Sequence, residues 1–332
     1  MRVAACLALL LLAGCSRYAN FTLPPVSGGD ASLTFSLDAQ PEPVISHGAD
    51  SDALNPSVVR TPAGLVNFYS AFDGTSWRTM LAASADGIHW QPGRTVMRSD
   101  PRTWQGNYIA GNGSALLYGG QFFHWFEAGP RDALRIGLAR GSDTQTWNSE
   151  SQPVLERGPY MSWDERDVAD PYVIRIDPYF FMYYLGQDRA DPPRQRIGVA
   201  RSGDGVHWTK LVTNPVLELG APGSFDEADL GEPAVWNSHG FYWMLYTGTD
   251  YTAQRRLGLA RSTDGVRWLK LPTVFSGTQP WNSKALCDAT VLVDGTEVRV
   301  WFGGGDVASP DERLHGQIGY GVLRPAHVTL AK

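Results

Sequence analysis

Apolar residues along this chain fall in short runs bounded by turn residues, and after the first fifteen residues no stretch sustains a helical period. Five of the runs are aromatic and five or six residues long. They are Leu65-Val66-Asn67-Phe68-Tyr69, Phe122-Phe123-His124-Trp125-Phe126, Phe180-Phe181-Met182-Tyr183-Tyr184, Phe241-Tyr242-Trp243-Met244-Leu245-Tyr246 and Val298-Arg299-Val300-Trp301-Phe302. Runs of this length between Gly, Pro and Asp turns read as buried β-strands. Each is preceded by a shorter β-rich stretch and a turn at Gly64, Gly119-Gly120, Asp177-Pro178, Gly240 or Asp294-Gly295. Each is followed by a third strand, at 79–83, 135–139, 196–200, 256–260 and 317–321. Four of the five then carry nearly the same phrase, a Ser/Arg-rich Asp turn ending in Trp90, Trp147, Trp208 or Trp268, with spacings of 57, 61 and 60 residues.

A second register runs through the same repeat. The first strand opens on Asn55-Pro56, Asn112-Gly113, Asp170-Pro171, Glu232-Pro233 and Asp288-Ala289, spaced 57, 58, 62 and 56 residues. A unit of this length is one four-stranded sheet, which needs neighbours to bury its faces. The expected fold is all-β: a five-bladed β-propeller of four-stranded antiparallel blades around a central channel. In that arrangement the anchors share one face of the channel. Because the frame is kept while the anchor varies, the anchors are candidates for chemistry rather than for strand capping alone. Asp170 and Glu232 form a carboxylate pair across one pocket, as glycosidic bond cleavage requires. One carboxyl protonates the leaving oxygen, and the other supports water or an oxocarbenium-like centre.

With these residues in place, the chain resembles the five-bladed β-propeller glycoside hydrolases, family 43 with relatives 32, 62, 68, 117 and 130, over residues 45–325. Asp170-Pro171-Tyr172-Val173 is similar to the motif whose Asp tunes the acid, and Gly231-Glu232-Pro233-Ala234-Val235 to the motif whose Glu is the general acid. The resemblance therefore implies Glu232 and Asp170 as catalytic, with Asn55, Asn112 and Asp288 binding substrate. It also implies an oligosaccharide or polysaccharide partner of arabinose, xylose or related sugars. One position departs: the family's base is an Asp at the first anchor, and here it is Asn55. A neutral amide accepts no proton from water at useful strength. Asp50 or Asp52 reaching in, phosphate acting as nucleophile, or a pocket that binds glycan without cleaving it all remain open. A sialidase-like six-bladed reading of the Asp phrase lacks a sixth anchor.

Around the expected pocket, Trp104, Tyr108, Trp163 and Trp281 stand in loops ahead of the anchors. They are either sugar platforms or plugs under those loops. Arg166 is a candidate for binding sugar hydroxyls. His315 is a candidate channel residue ordering a cation or water, while His124 reads as a half-buried strand residue. Asp226-Glu227-Ala228-Asp229 is either a solvated loop or a calcium-binding edge. No cofactor is expected, calcium in the channel being the one metal considered, and no metal ligand set is assigned.

The ends and the composition narrow the setting. Met1-Arg2, an apolar run to Leu12 and Ala13-Gly14-Cys15 make an export signal over 1–14 that resembles a bacterial lipobox. Cys15 is then the lipidation site and residues 15–44 a flexible tether. The expected location is the cell envelope, with the lipid anchor as the one membrane contact. Net charge is −6, without a basic run, which argues against a nucleic-acid partner. Of the three cysteines, Cys6 leaves with the signal, so Cys287 has no intramolecular partner and reads as a small buried side chain.

Overall fold

A computed structural model describes residues 17–309 and 312–327; the expected export signal and Cys15 lie outside the described residues. Two leading strands, β1 (Tyr18–Ala19) and β2 (Leu33–Ala39), precede five antiparallel units. The first unit is β3 (Asp52–Thr61), β4 (Gly64–Phe72), β5 (Trp77–Ser84) and β6 (Arg94–Met97). The second is β7 (Ile109–Tyr118), β8 (Gln121–Gly129), β9 (Arg135–Gly141) and β10 (Asn148–Ser149). The third is β11 (Asp167–Ile176), β12 (Tyr179–Gln187), β13 (Gln195–Ser202) and β14 (Trp208–Leu211). The fourth is β15 (Asp229–Ser238), β16 (Phe241–Thr249), β17 (Arg255–Ser262) and β18 (Leu269–Phe275). The fifth has β19 (Ala285–Asp294), β20 (Glu297–Gly305) and β21 (Gln317–His327). Among the described residues the one helical element is a 3-10 turn at Pro280–Asn282. Short parallel pairings, Trp77 with Ile109 and Arg255 with Ala285, join neighbouring units, so the strands gather into three hydrogen-bonded sheets.

The aromatic second strands carry the core. β12 and β16 are buried almost throughout because side chains on both faces pack against adjoining units, which is why these runs lack hydrophobic–polar alternation. The Trp phrases stitch the units together. In the first, the Ser84 hydroxyl and the Asp86 carboxylate accept the N–H groups of Gly87, Ile88 and His89. Gly87, at φ 81°, makes the reversal that a side chain would strain. Its carbonyl accepts from Trp90 of the same phrase and from Trp301 of the fifth unit. Gly205 accepts likewise from Trp208 and from Trp125 of the second unit, and Gly265 from Trp268 and from Tyr183 of the third. These phrases therefore pack unit against unit.

The leading segment corrects an expectation. Residues 17–44 do not form a tether; they are built onto the fold. β1 pairs with β14, Leu23 N–H donates to the Asp264 carbonyl, and Tyr242 donates to the Pro24 carbonyl. β2 then pairs with β21 from Leu33–His327 to Ala39–Gly321, supplying the fourth strand of the fifth unit from the opposite end of the chain. Leu23, Leu33 and Phe35 are fully buried, each stabilising by about 1.5–3 kcal/mol. The surrounding Pro, Gly and Ser residues hid this short alternation in the sequence.

Candidate active site

All five anchors share one backbone device. Asn55, Asn112, Asp170, Glu232 and Asp288 have φ between 43° and 52°, and each sits where the pairing of the first and second strands slips by a residue. Such β-bulges re-aim a side chain. The left-handed conformation costs an L-residue about 1–2 kcal/mol, so five repetitions mark a shared demand on side-chain direction. All five line one cavity of about 400 Å³. A hollow of about 30 Å³ is lined by the anchors and the residues that follow them, among them Pro56, Gly113, Pro171, Pro233 and Ala289.

A third register supports the anchors, and sequence reasoning missed it. The second-strand residues facing the bulges are Ser70, Glu127, Leu185, Thr247 and Gly303. Ser70 accepts the Asn112 N–H at 2.6 Å, Glu127 the Asp170 N–H at 3.1 Å, and Thr247 the Asp288 N–H at 3.2 Å. Each thereby holds the anchor of the next unit. Glu127 was detectable as an acid inside the aromatic run Trp125-Phe126-Glu127-Ala128, where an unpaired charge is costly.

The carboxyl groups meet in pairs. Glu127 also accepts from the Asn112 side-chain amide at 3.1 Å and lies beside Asp170. Burial, together with the negative Asp167 and Glu232 nearby, pushes the Glu127 carboxyl up to about 8 against the hydrogen bonds from Asp170. Glu232 accepts the Asp288 N–H at 3.2 Å, and Asn55 donates to the Asp288 carboxyl at 3.0 Å. Burial first, then Glu232 and Asp170, raise the Asp288 carboxyl well above the carboxylate range, while Arg255 opposes them. Burial thus raises one carboxyl in each pair, Glu127 beside Asp170 and Asp288 beside Glu232. Burial also raises Asp167, which accepts the Leu134 N–H at 2.7 Å and lies 3.4 Å from the Arg166 guanidinium. Arg131, Arg166 and Arg255 line the same cavity.

Several candidates lie elsewhere. Trp104, Trp163 and Trp281 do not line the cavity; they occupy one repeated packing register, shared by Phe225. Trp104 stacks on Phe126 over Gly137, and Trp163 covers Gly186 and Gly198. Phe225 covers Gly248 and Gly258, and Trp281 stacks on Phe302 over Gly304 and Gly319. The glycines make room for the rings, so Trp104 and Trp281 are plugs under loops rather than sugar platforms, while half-buried Trp163, seated on its glycines, also lines a side hollow with Tyr160 and Met161. Tyr108 alone of the four loop aromatics reaches the cavity; it donates to Glu312 at 2.8 Å with the Arg131 guanidinium over its ring.

Neither Asp50 nor Asp52 substitutes for the first anchor. Asp50 holds Arg78 at 2.7 Å, and buried Asp52 accepts the Arg313 and Gly316 N–H groups. His315 is exposed and paired with Asp306, and it does not line the cavity. His124 is fully buried, beyond the half-burial expected, and desolvation holds its imidazole down to about 3. Asp226 pairs with Lys270, and Glu227 accepts the Gly223 N–H, whereas Asp229 lines the cavity. Cys287 is buried, with its thiol pushed up by desolvation and by Asp288. Glu232, Cys287 and Asp288 bring donor atoms within 4.8 Å of one another. Two carboxyls sharing a site with a protonated thiol are not the six to eight oxygens that calcium takes.

A family model described as the glycosyl hydrolases family 32 N-terminal domain matches residues 65–290. Two uncharacterized proteins of Mycobacterium tuberculosis, from strains CDC 1551 and H37Rv, are each 30% identical over 164 residues, 46% of this chain and 52% of theirs. The chain spans about half the length of these curated relatives. Among solved structures, a glycosyl hydrolase from Bacteroides ovatus superposes with a TM-score of 0.69 at 15% identity, over 90% of this chain and 97% of that one. A β-1,2-mannobiose phosphorylase from Listeria innocua, in complex with β-1,2-mannobiose, gives 0.67 at 11% identity, over 87% and 96%. A thermostable family-43 glycoside hydrolase gives 0.63 at 16%, over 84% and 94%. These structural likenesses are likenesses of fold.

Proposed function

The chain belongs to the glycosyl hydrolases family 32 N-terminal domain family, and from that premise we propose that it cleaves glycosidic bonds in its central cavity. The observation that carries this reading is the convergence of Glu127, Asp170, Glu232 and Asp288 on one cavity, as two carboxyl pairs in each of which burial raises one member. Glu232 is the general acid. Asp288, its carboxyl raised by burial and by Glu232, lies beside Glu232, and the pair faces the leaving glycosidic oxygen. Asp170, fixed through its N–H by Glu127, faces the developing positive charge of the sugar. Asn55 and Asn112 orient sugar hydroxyls or water, and Arg166 adds a donor at the wall. The five units stand as blades around one axis, with residues 45–325 as one propeller domain completed by the leading strands. The substrate is an oligosaccharide or polysaccharide of arabinose, xylose or a related sugar. Residues 1–14 export the protein, and acylated Cys15 holds it in the cell envelope.

A second reading is favoured by Asn55 itself. With no carboxyl at the first anchor and three arginines lining the cavity, phosphate is a candidate nucleophile in place of activated water. One assay separates these readings. Aryl α-L-arabinofuranosides, β-xylosides, β-fructosides and β-mannosides are incubated with wild type and Glu232→Gln, with and without phosphate. Turnover lost in the variant supports the assigned acid, and dependence on phosphate identifies the nucleophile. No turnover on any substrate, with sugar binding retained by calorimetry, would leave a glycan-binding protein instead.

A further inference from the structure

The loops entering β11 and β15 are copies of one another, 62 residues apart: Gly158-Pro-Tyr-Met-Ser-Trp-Asp-Glu165 and Gly220-Ala-Pro-Gly-Ser-Phe-Asp-Glu227. Their hydrogen bonds match one for one. Gly158 N–H reaches the Asp164 carbonyl and Gly220 N–H the Asp226 carbonyl, both at 2.9 Å. Ser162 donates to Asp164 and Ser224 to Asp226. Met161 N–H donates to Glu165, and Gly223 N–H to Glu227. The fourth-unit loop fills its turn with Pro222 and Gly223, and Gly223 takes φ 85° at no steric cost. The third-unit loop places Tyr160 and Met161 at the same two positions. Met161 is forced to φ 67°, and these are the two most exposed large apolar side chains in the described chain, at 87% and 81%. Folding did not require either residue, because the sister loop makes the same turn without them.

What Tyr160 and Met161 border is a second hollow. It is lined by them together with Trp163, Glu165, Asp188, Arg189, Arg194 and Arg196. Its polar wall is preset: Asp188, buried, holds Arg194 at 2.8 Å and Arg196 at 2.6 Å, and its carboxylate also takes the Arg194 N–H. The hollow adjoins the central cavity through a shared partition. Arg166 and Gln187 line the central cavity while their chain neighbours Glu165 and Asp188 line the side hollow, and Arg166 N–H bonds the Gln187 carbonyl across it. An exposed aromatic ring and guanidinium groups lining one hollow beside the central cavity suit the face and hydroxyls of a sugar ring.

We propose that this hollow is a distal subsite that receives a further sugar unit of an oligosaccharide whose reacting linkage lies in the central cavity, with Tyr160 as stacking platform. The inference rests on the glycosidase reading for the reacting end, and its test separates the two. Tyr160→Ala and Met161→Gly, the latter copying the sister loop and relieving strain, are compared with wild type. The probes are aryl monoglycosides and three trisaccharides: α-1,5-arabinotriose, β-1,4-xylotriose and β-1,2-mannotriose. The expected result is a loss of about tenfold in kcat/KM on the turned-over trisaccharide for Tyr160→Ala, with the matching aryl monoglycoside unchanged and the melting temperature retained. Equal effects on both lengths, or none on either, overturn the subsite while the glycosidase stands. If nothing is hydrolysed, calorimetry with the same trisaccharides decides. Binding weakened about tenfold by Tyr160→Ala keeps the subsite and removes the glycosidase. Binding indifferent to Tyr160, or no binding of any trisaccharide, overturns the subsite.

Discussion

Glu127→Gln is the sharpest perturbation of the site's electrostatics. The Glu127 carboxyl is pushed from 4.5 to about 8, with burial the largest cause. In this window the folded state keeps a proton that the unfolded chain has released. Its stabilising effect is complete below about pH 4.5 and is lost as pH rises through about 8. The displacement corresponds to at most about 5 kcal/mol, and relaxation of the cavity brings the expected change to about 2–4 kcal/mol. Glutamine preserves shape: its carbonyl can take the Asp170 N–H, while its amide meets an Asn112 side chain whose Oδ1 otherwise lacks a partner. Urea unfolding at pH 5 and pH 9 checks the sign. Wild type should lose stability relative to the variant by about 2–4 kcal/mol between the two pH values. Asp288 titrates in both proteins and cancels in the difference. A pH dependence identical in wild type and variant would refute the claim that Glu127 holds a proton when folded.

Three further perturbations address other parts of the argument. Asn55→Asp replaces the donor to Asp288 with a second carboxyl at 3.0 Å. It should cost about 1–3 kcal/mol at pH 9 while raising hydrolysis of aryl glycosides near pH 6, and unchanged rate and stability would remove the first anchor from the site. Phe35→Ala empties a buried position set edge-on against Trp236 and Trp243. A loss of about 3–5 kcal/mol in chemical unfolding is expected, whereas a loose tether would show none. Gly186→Ala sets a methyl 2.3 Å from the Trp163 ring. It should lower the melting temperature through about 1–3 kcal/mol of overpacking, and a neutral outcome would mean that Trp163 is not wedged there.

Periodicity read along the chain determined the strand order, the unit boundaries and the five anchors, because a strand's burial and its turn chemistry are local properties of sequence. It singled out Asp170 and Glu232, since an acid at a repeated strand entrance is conspicuous. It could not reveal that Glu127 stands behind Asp170, or that Asp288 rather than Asn55 adjoins Glu232. Those neighbours come from different units, and only the packing of adjacent units against one another brings them together. Tertiary structure also decided the fate of the loop tryptophans: a ring in a loop looks alike as platform or plug until the glycines facing Trp104, Trp163 and Trp281 are seen. The leading segment was settled in the same way. Leu33-Thr34-Phe35 is too short to announce a strand, and it becomes one because β21 offers an unpaired edge almost three hundred residues away.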